Sequence, residues 1–303
     1  MDFDQFDEKL MALEAVHQVE ENPAQILVFL HGITGDSKTT WEAPSPPNEV
    51  PSEDDNEPAL WVSKLLPNDF NANIYTCGWD WTVPNTMHDL AGSFIKTLSS
   101  LADNVLRQKH KSFPIVLVGH DLGGIIIQKA MLMFQDLSAD PRYLRIAANI
   151  AGIILIDTPF EGTVGNFYSD NQGIEPLVNP QDNELVDTSY LELLHIQSSI
   201  RREVVADFYQ LVIKFQQLKT IGPLTCFCSG SPQYQFDNAL LYMEQVPEVK
   251  WRIIEVLPSR SDFNEKAEPE YKEFVKQVRD QIDFRRSAYR WIDMSDCFGW
   301  STG

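Results

Sequence analysis

The stretch Gly119-His120-Asp121-Leu122-Gly123-Gly124 decides the fold of this chain of 303 residues. It follows the apolar run at residues 115–118 and precedes a helical pattern that begins at Ile125. A strand, a glycine-flanked residue and a helix predict a sharp strand-to-helix turn, because the glycines stand where side chains would clash. Such a turn displays the residue at its middle, which is Asp121 here.

Strand-like runs and helical patterns also alternate along the rest of the chain. Strand-like runs lie at 26–30, 73–78, 150–156, 224–228 and 251–256. Helical patterns lie at 61–66, 88–109, 125–135, 200–218 and 268–282. Strands that alternate with helices indicate an α/β fold with a mostly parallel sheet covered on both faces. We predict one domain over residues 1–303, with an acidic proline-rich loop at 42–58, a helical lid at 160–220 and an aromatic C-terminal tail at 286–303.

The composition restricts the partners and the compartment of the protein. Apolar residues make up 43% of the chain, which indicates a globular protein. The net charge of −20 argues against nucleic acid and against anionic membranes as partners, because both require a basic surface. No apolar run reaches the ~18 residues that span a bilayer, and the acidic start of the chain lacks the apolar region of a signal peptide. We therefore predict a cytoplasmic protein without a membrane span.

The cysteines give no sign of a metal site. Their spacing matches no zinc pattern, and Cys226 and Cys228 alternate within an apolar run, so they share one face of a predicted strand. Buried free thiols are the expected state. The sequence predicts neither a metal nor a cofactor.

Three stretches carry a resemblance to a known family. They are LVFLHGITGD at 27–36 followed by Thr40 and Trp41, the segment from Trp61 through the run IYTCGWD at 74–80, and IILIDTPFEGT at 153–163. Together with the turn at Asp121, they resemble the serine-active-site-containing protein family, whose domain also occurs at the front of fungal NACHT-type ATPases. The resemblance covers residues 11–165 and implies the α/β-hydrolase fold.

The chain departs from this family at the residues that carry its chemistry. The resemblance implies a nucleophilic Ser at the strand-to-helix turn, the nucleophile elbow, and a catalytic His in the loop after the last strand. The elbow residue is Asp121, and the loop at 258–263, where the resemblance would place the catalytic His, contains no His. Another His of the family, in the stretch that matches residues 158–163, is replaced by Phe160. The family's order of Ser, acid and His cannot be completed, so ordinary serine-esterase activity is not expected.

Asp121 has three interpretations. It is a general acid or base towards a bound small molecule, a nucleophile whose ester a His-activated water must cleave, or a relic in a dead site. The helix N-terminus and the amides of Leu122 and of the Gly32–Ile33 region lower the pKa of its carboxyl, whereas an apolar pocket raises that pKa.

Two further residues are catalytic candidates. Asp157 ends a neighbouring strand at the edge where ligands of open α/β sheets bind, so it faces the same cleft as Asp121 or caps its own turn. His31 lines the pocket or shapes the oxyanion loop. Candidate residues of the oxyanion hole and pocket are Gly32, Ile33, His120, Leu122, Phe160, Trp81 and His195.

The sequence thus predicts an α/β-hydrolase-fold enzyme with a degenerate triad. Its expected reaction is of lyase, isomerase or cyclase type on a small, apolar, carbonyl-bearing metabolite, in a setting of fungal secondary metabolism, with Asp121 as acid, base or orienting group. Two alternatives remain. One is a catalytically dead pseudohydrolase that serves as a binding module, and the other is a hydrolase with an Asp nucleophile.

Overall fold

A computed structural model describes most of the chain. The described residues are 6–20, 23–33, 35–42, 60–80, 83, 85–106, 113–136, 141–160, 198–218, 221–229, 251–256 and 269–288. The strands in this part of the chain are β1 (Ala12–His17), β2 (Gln25–Leu30), β3 (Ala72–Gly78), β4 (Ile115–His120), β5 (Ile150–Ile156), β6 (Leu224–Ser229) and β7 (Trp251–Val256). The α-helices are α1 (Trp61–Lys64), α2 (Met87–Leu106), α3 (Leu122–Met133), α4 (Pro141–Asn149), α5 (Ser199–Gln217) and α6 (Pro269–Ala288).

The strands form one sheet of seven strands in the order β1-β3-β2-β4-β5-β6-β7. Strand β1 pairs with β3 in antiparallel fashion, and the pairings between the other neighbours are parallel. The predicted mostly parallel α/β sheet is therefore confirmed. The sequence did not predict β1, because its side chains are exposed or half-buried and lack a clear alternation.

The sheet separates two apolar cores, and strand β2 contributes to both. All six residues of β2 are buried. Ile26, Val28 and Leu30 pack into the core beneath α2, α3 and α5, whereas Leu27 and Phe29 pack into the core beneath α1 and α6. Side chains alternate across a strand, so a strand covered on both faces is a continuous apolar run. This explains why the central strands could be recognised from their sequence.

The register of the parallel strands brings several polar residues to one edge of the sheet. Leu30 pairs with Gly119, and Ile156 pairs with both His120 and Phe227. The residues that follow these positions are His31, Asp121, Asp157 and Cys228. They lie at the carboxyl ends of adjacent strands, which is the edge where open α/β sheets bind ligands.

The predicted appendages fall largely outside the described residues. This applies to 43–58 of the acidic loop, 161–197 and 219–220 of the predicted lid and 289–303 of the tail, so all three stay predictions. The described helix α5 packs against α3 and buries Val204, Val205 and Phe208 in the core. Cys77, Cys226 and Cys228 are buried free thiols, as predicted, and Cys297 lies outside the described part of the chain. No described helix is both long and apolar enough to cross a membrane.

Candidate active site at the strand-to-helix turn

Asp121 occupies a strained turn between β4 and α3. Its φ is 48° and its ψ is −125°, a combination that a residue with a side chain rarely adopts. Its backbone N–H donates to Ile156 O at 2.9 Å, and its carbonyl oxygen accepts from the N–H of Gly124 at 3.0 Å. Such strain persists only where surrounding contacts fix the backbone, and it concentrates at functional sites.

Two glycines allow the turn to form. A Cβ atom on Gly32 would lie 2.6 Å from Asp121 Oδ2, so a side chain there would displace the carboxyl group. A Cβ atom on Gly123 would overlap the carbonyl oxygens of Leu30 and His31. The first turn of α3 therefore packs directly on the loop that follows β2.

The carboxyl group of Asp121 is bound by a main-chain amide of that loop. The N–H of Ile33 donates to Asp121 Oδ2 at 3.0 Å. The N–H of Leu122, the residue after Asp121, also hydrogen-bonds this carboxyl group. Two main-chain amides from different segments thus meet at the Asp121 side chain.

The protonation of Asp121 is governed by opposing effects. Burial raises the pKa of this carboxyl above its ordinary value, and the charge of nearby Asp157 adds to the rise. His120 and the amides of Leu122 and Ile33 act in the opposite direction. The net shift is upwards, so desolvation outweighs the amides that favour the anion.

Asp157 has the second strained backbone of the site. Its φ is 50°, and Asp121 and Asp157 are the non-glycine residues with positive φ in the described part of the chain. Its N–H donates to Phe227 O at 2.9 Å. Burial raises the pKa of the neighbouring Cys228 thiol to about 12, and Asp157 contributes to this rise. Cys228 is therefore a neutral thiol at neutral pH and a poor nucleophile.

Both ring nitrogens of His31 are engaged. Its Nε2 accepts from the backbone N–H of Trp79 at 3.0 Å, so its Nδ1 carries the proton and donates to Gly32 O at 2.7 Å. The ring stacks on the indole of Trp79 with centroids 5.7 Å apart. Burial lowers the pKa of His31. A buried neutral imidazole without a free lone pair holds the loop in shape and cannot accept a substrate proton at either nitrogen.

His120 lies beside Asp121, and its ring packs towards the core beneath α1 and α6. Its ring meets the indole of Trp41 edge to face, with centroids 6.1 Å apart. Its Nδ1 is buried and has no hydrogen-bond partner among the described residues. Burial lowers the pKa of His120, and the negative charge of Asp121 opposes this effect. The imidazole is therefore neutral at neutral pH.

The remaining candidates divide into buried residues and residues outside the described part. Leu122 is fully buried, so it contributes its amide and not its side chain. Phe160 is buried against Tyr209, at a centroid distance of 6.3 Å. Trp81 and His195 lie outside the described residues. Among the described residues, no cluster of three His, Cys, Asp or Glu side chains could hold a metal ion.

Sequence reasoning missed Arg201 of α5. Its side chain is fully buried, and its Nε donates to Phe160 O at 3.2 Å. Ser198 caps this helix by accepting from Arg201 N at 3.2 Å. The available signal was the pair Arg201 and Arg202 in the first turn of a helix that becomes more apolar further along. Arg201 fastens α5 to the segment that follows β5 and Asp157.

The comparisons with known proteins identify the fold. No family model matches the sequence, and no curated protein does. Among solved structures, the fungal esterases from Rhizomucor miehei are similar, with a TM-score of 0.51, 12% identity and coverage of 92% of this chain and 80% of theirs. Est1E from Butyrivibrio proteoclasticus has a TM-score of 0.49, 12% identity and coverage of 90% and 94%. The chain has the α/β-hydrolase fold, and at this identity the likeness extends to the fold alone.

The exchange Asp121→Asn is expected to stabilise the protein at neutral pH but not in acid. The native pKa of Asp121 lies above its ordinary value of 3.8, so the native state holds this proton more tightly than the unfolded chain does. The free energy of unfolding therefore falls as the pH rises from 3.8 through the native pKa. Asn carries no such penalty and keeps an oxygen for Ile33. Urea unfolding of both proteins in acid and at neutral pH measures the effect.

A matched exchange controls for the removal of one negative charge. The side chain of Asp283 is 74% exposed, so Asp283→Asn changes the net charge without touching the elbow. Equal free energies of unfolding for wild type and Asp121→Asn at neutral pH would contradict the raised pKa.

Proposed function

We propose that the protein is an α/β-hydrolase-fold enzyme in which Asp121 transfers a proton, or holds one, during a non-hydrolytic reaction. The proposed reaction is of lyase, isomerase or cyclase type, and the proposed substrate is a small, apolar molecule that bears a carbonyl group. The observation that carries this proposal is the hydrogen bond from the N–H of Ile33 to Asp121 Oδ2. The cytoplasmic location and the setting in fungal secondary metabolism stay predictions from the sequence.

This hydrogen bond argues against acyl transfer by the usual route. A serine hydrolase uses its two main-chain amides to stabilise the oxygen of a tetrahedral intermediate. Here the amide of Ile33 already donates to the side chain of Asp121 at the elbow. A substrate carbonyl would have to displace the Asp121 carboxyl before it could reach this donor.

The surroundings of Asp121 favour a role for its carboxyl group as a general acid or base. Proton transfer is most efficient when the pKa of the catalytic group lies near the working pH. Burial moves the pKa of Asp121 upwards, and Asp157 on the adjacent strand moves it in the same direction. We assign His31 a positioning role, because both of its nitrogens are engaged in fixing the loop of Gly32 and Ile33.

A hydrolase with Asp121 as nucleophile is the second candidate, and the same contact favours it. In that chemistry Asp121 forms an ester, and the oxygen held by Ile33 would take up negative charge when water attacks the ester carbon. The water needs a base. The described histidines at this edge offer none without rearrangement, since His31 is engaged and the free Nδ1 of His120 is buried near Trp41.

Ordinary serine-hydrolase probes are expected to leave the protein unmodified. A fluorophosphonate needs an activated serine, and no Ser stands at the elbow. We expect no labelling and no turnover of p-nitrophenyl acetate above the rate of the unfolded chain. Asp121→Ser is expected to remain inactive, because a serine without its base is a weak nucleophile. Intact-protein mass spectrometry measures the labelling, and one phosphonyl group per chain would overturn the proposal.

A further inference from the structure

A groove separate from the elbow lies between the edge strand β1 and helix α2. Its volume is about 440 Å³, which falls within the usual range of small-molecule pockets. Its floor includes Met11, Leu13 and Ala15. These residues alternate along the chain, so they share one face of the strand. The groove therefore follows the strand and suits an elongated occupant.

The opposite wall comes from one face of α2. Thr97, Ser100 and Leu101 line it, and their spacing of three and four residues puts them side by side on the helix. Leu101 is buried in the core and Ser100 is exposed. The wall thus offers an apolar base and a polar rim, which is the arrangement that an amphipathic molecule requires.

The charge along the groove differs between its ends. Glu8 precedes β1 and is the one charged side chain in the described lining, whereas Gln18 follows β1 and lies near the hydroxyl of Tyr75. Lys96 contacts Glu8 at 3.5 Å, but its Nζ also donates to Phe6 O at 2.9 Å. The side chain of Glu8 is 60% exposed whereas that of Lys96 is 19% exposed, and an ion pair with one partner so exposed is weak, so the carboxylate of Glu8 can accept a second cation.

We propose that this groove binds a cationic amphipathic small molecule with an alkyl chain. The chain lies on Met11, Leu13 and Leu101, and the ammonium group contacts the carboxylate of Glu8. The net charge of −20 raises the local concentration of cations and disfavours fatty acids. This site is independent of the chemistry at Asp121.

Three probes with the same chain and different head groups test the proposal: octylammonium, 1-octanol and octanoate. We expect octylammonium to bind about fivefold more tightly than octanol and at least about tenfold more tightly than octanoate. Glu8→Gln is expected to reduce octylammonium binding to the level of octanol. Isothermal titration calorimetry of the full chain, below the micelle concentration of each probe, measures the affinities.

A matched pair of variants locates the site. Ala15 and Ala12 are both exposed on β1, but only Ala15 faces the groove. Ala15→Trp is expected to abolish octylammonium binding, and Ala12→Trp is expected to preserve it. If Ala15→Trp fails to fold by circular dichroism, Ser100→Trp blocks the groove from the opposite wall.

Each outcome tests a different part of the proposal: the site, the class of ligand or its independence from Asp121. Absence of octylammonium binding, or unchanged binding in a folded groove variant, would overturn the site. Equal affinity for octanol, or higher affinity for octanoate, would overturn the cationic class of ligand. Asp121→Asn is expected to bind octylammonium like the wild type, so failure here is distinguishable from failure of the elbow chemistry.

Discussion

Replacement of Asp121 by Asn is expected to lower turnover by about 10²–10⁴-fold, the usual contribution of a general acid or base. The amide has the shape of the carboxyl and keeps an oxygen for the N–H of Ile33, so the fold and the affinity for the substrate are expected to persist. Steady-state kinetics should therefore give a lower kcat with little change in KM. An unchanged kcat would end the acid-base proposal and favour the relic interpretation.

A substrate can be found through its effect on the stability of the protein. Ligands that bind only the folded state raise its stability, so a thermal-shift screen of apolar ketones, lactones and enones identifies candidates. For each compound that the wild-type protein converts, turnover is then measured with Asp121→Asn and with Asp283→Asn. The second variant removes an exposed carboxylate, 74% accessible, and is expected to keep full activity.

Asp121→Asn impairs a nucleophile and a general acid or base alike, so the kinetics of this variant do not distinguish the two catalytic roles of Asp121. Isotope incorporation distinguishes them. A nucleophilic Asp121 forms an ester that water cleaves at the side-chain carbon, so a single turnover in heavy-oxygen water leaves label in the protein. A general acid or base acquires no label. Mass spectrometry of the peptide that contains Asp121 gives the answer, and labelled Asp121 would replace the proposed function by the second candidate.

Gly123→Ala is expected to destabilise the protein by about 1–3 kcal/mol or more, as overpacking of a tight contact does. The new methyl group would overlap the carbonyl oxygens of Leu30 and His31. These are backbone atoms at the end of a buried central strand, so they cannot move aside without loss of the strand pairing to Gly119. Urea unfolding monitored by tryptophan fluorescence measures the change.

Gly78→Ala is the matched control for this exchange. A Cβ atom there would lie 3.1 Å from Cβ of Ser37, a side chain on a loop that can shift by a few tenths of an ångström. We expect a much smaller loss of stability for Gly78→Ala than for Gly123→Ala. Similar losses for the two variants would show that the elbow tolerates the methyl group.

The parts of the fold that are covered on both faces were predictable from the sequence. The runs that became β2, β4 and β5 are continuous and apolar because α-helices cover both sides of them. Strand β1 was not predicted because it is a half-exposed edge strand, in which apolar and polar residues need not alternate strongly. Helix α6 extends to Ala288, beyond the predicted end at 282, because its last turns carry charged residues that obscure the apolar period.

The candidate site was predictable where it depends on strand order and not where it depends on distant contacts. Parallel strands end at one edge, so the positions of Asp121 and Asp157 directly after two apolar runs were enough to assign both to that edge. The state of His31 could not be predicted, because the group that engages its Nε2 is the backbone of Trp79, 48 residues away in the chain. The balance of burial against hydrogen bonds at Asp121 likewise depends on packing distances that the sequence does not contain.

The clamp formed by His31, Trp79 and Gly32 has a consequence for the entropy of ligand binding. A loop that is already held by side-chain and main-chain hydrogen bonds loses little freedom when a ligand arrives. Protonation of His31 at Nε2 would break its bond with the amide of Trp79, and the lowered pKa of His31 keeps that event in the acidic range. The amide of Ile33 is thus preorganised at neutral pH, and protonation of His31 in acid removes one of the hydrogen bonds that hold the loop.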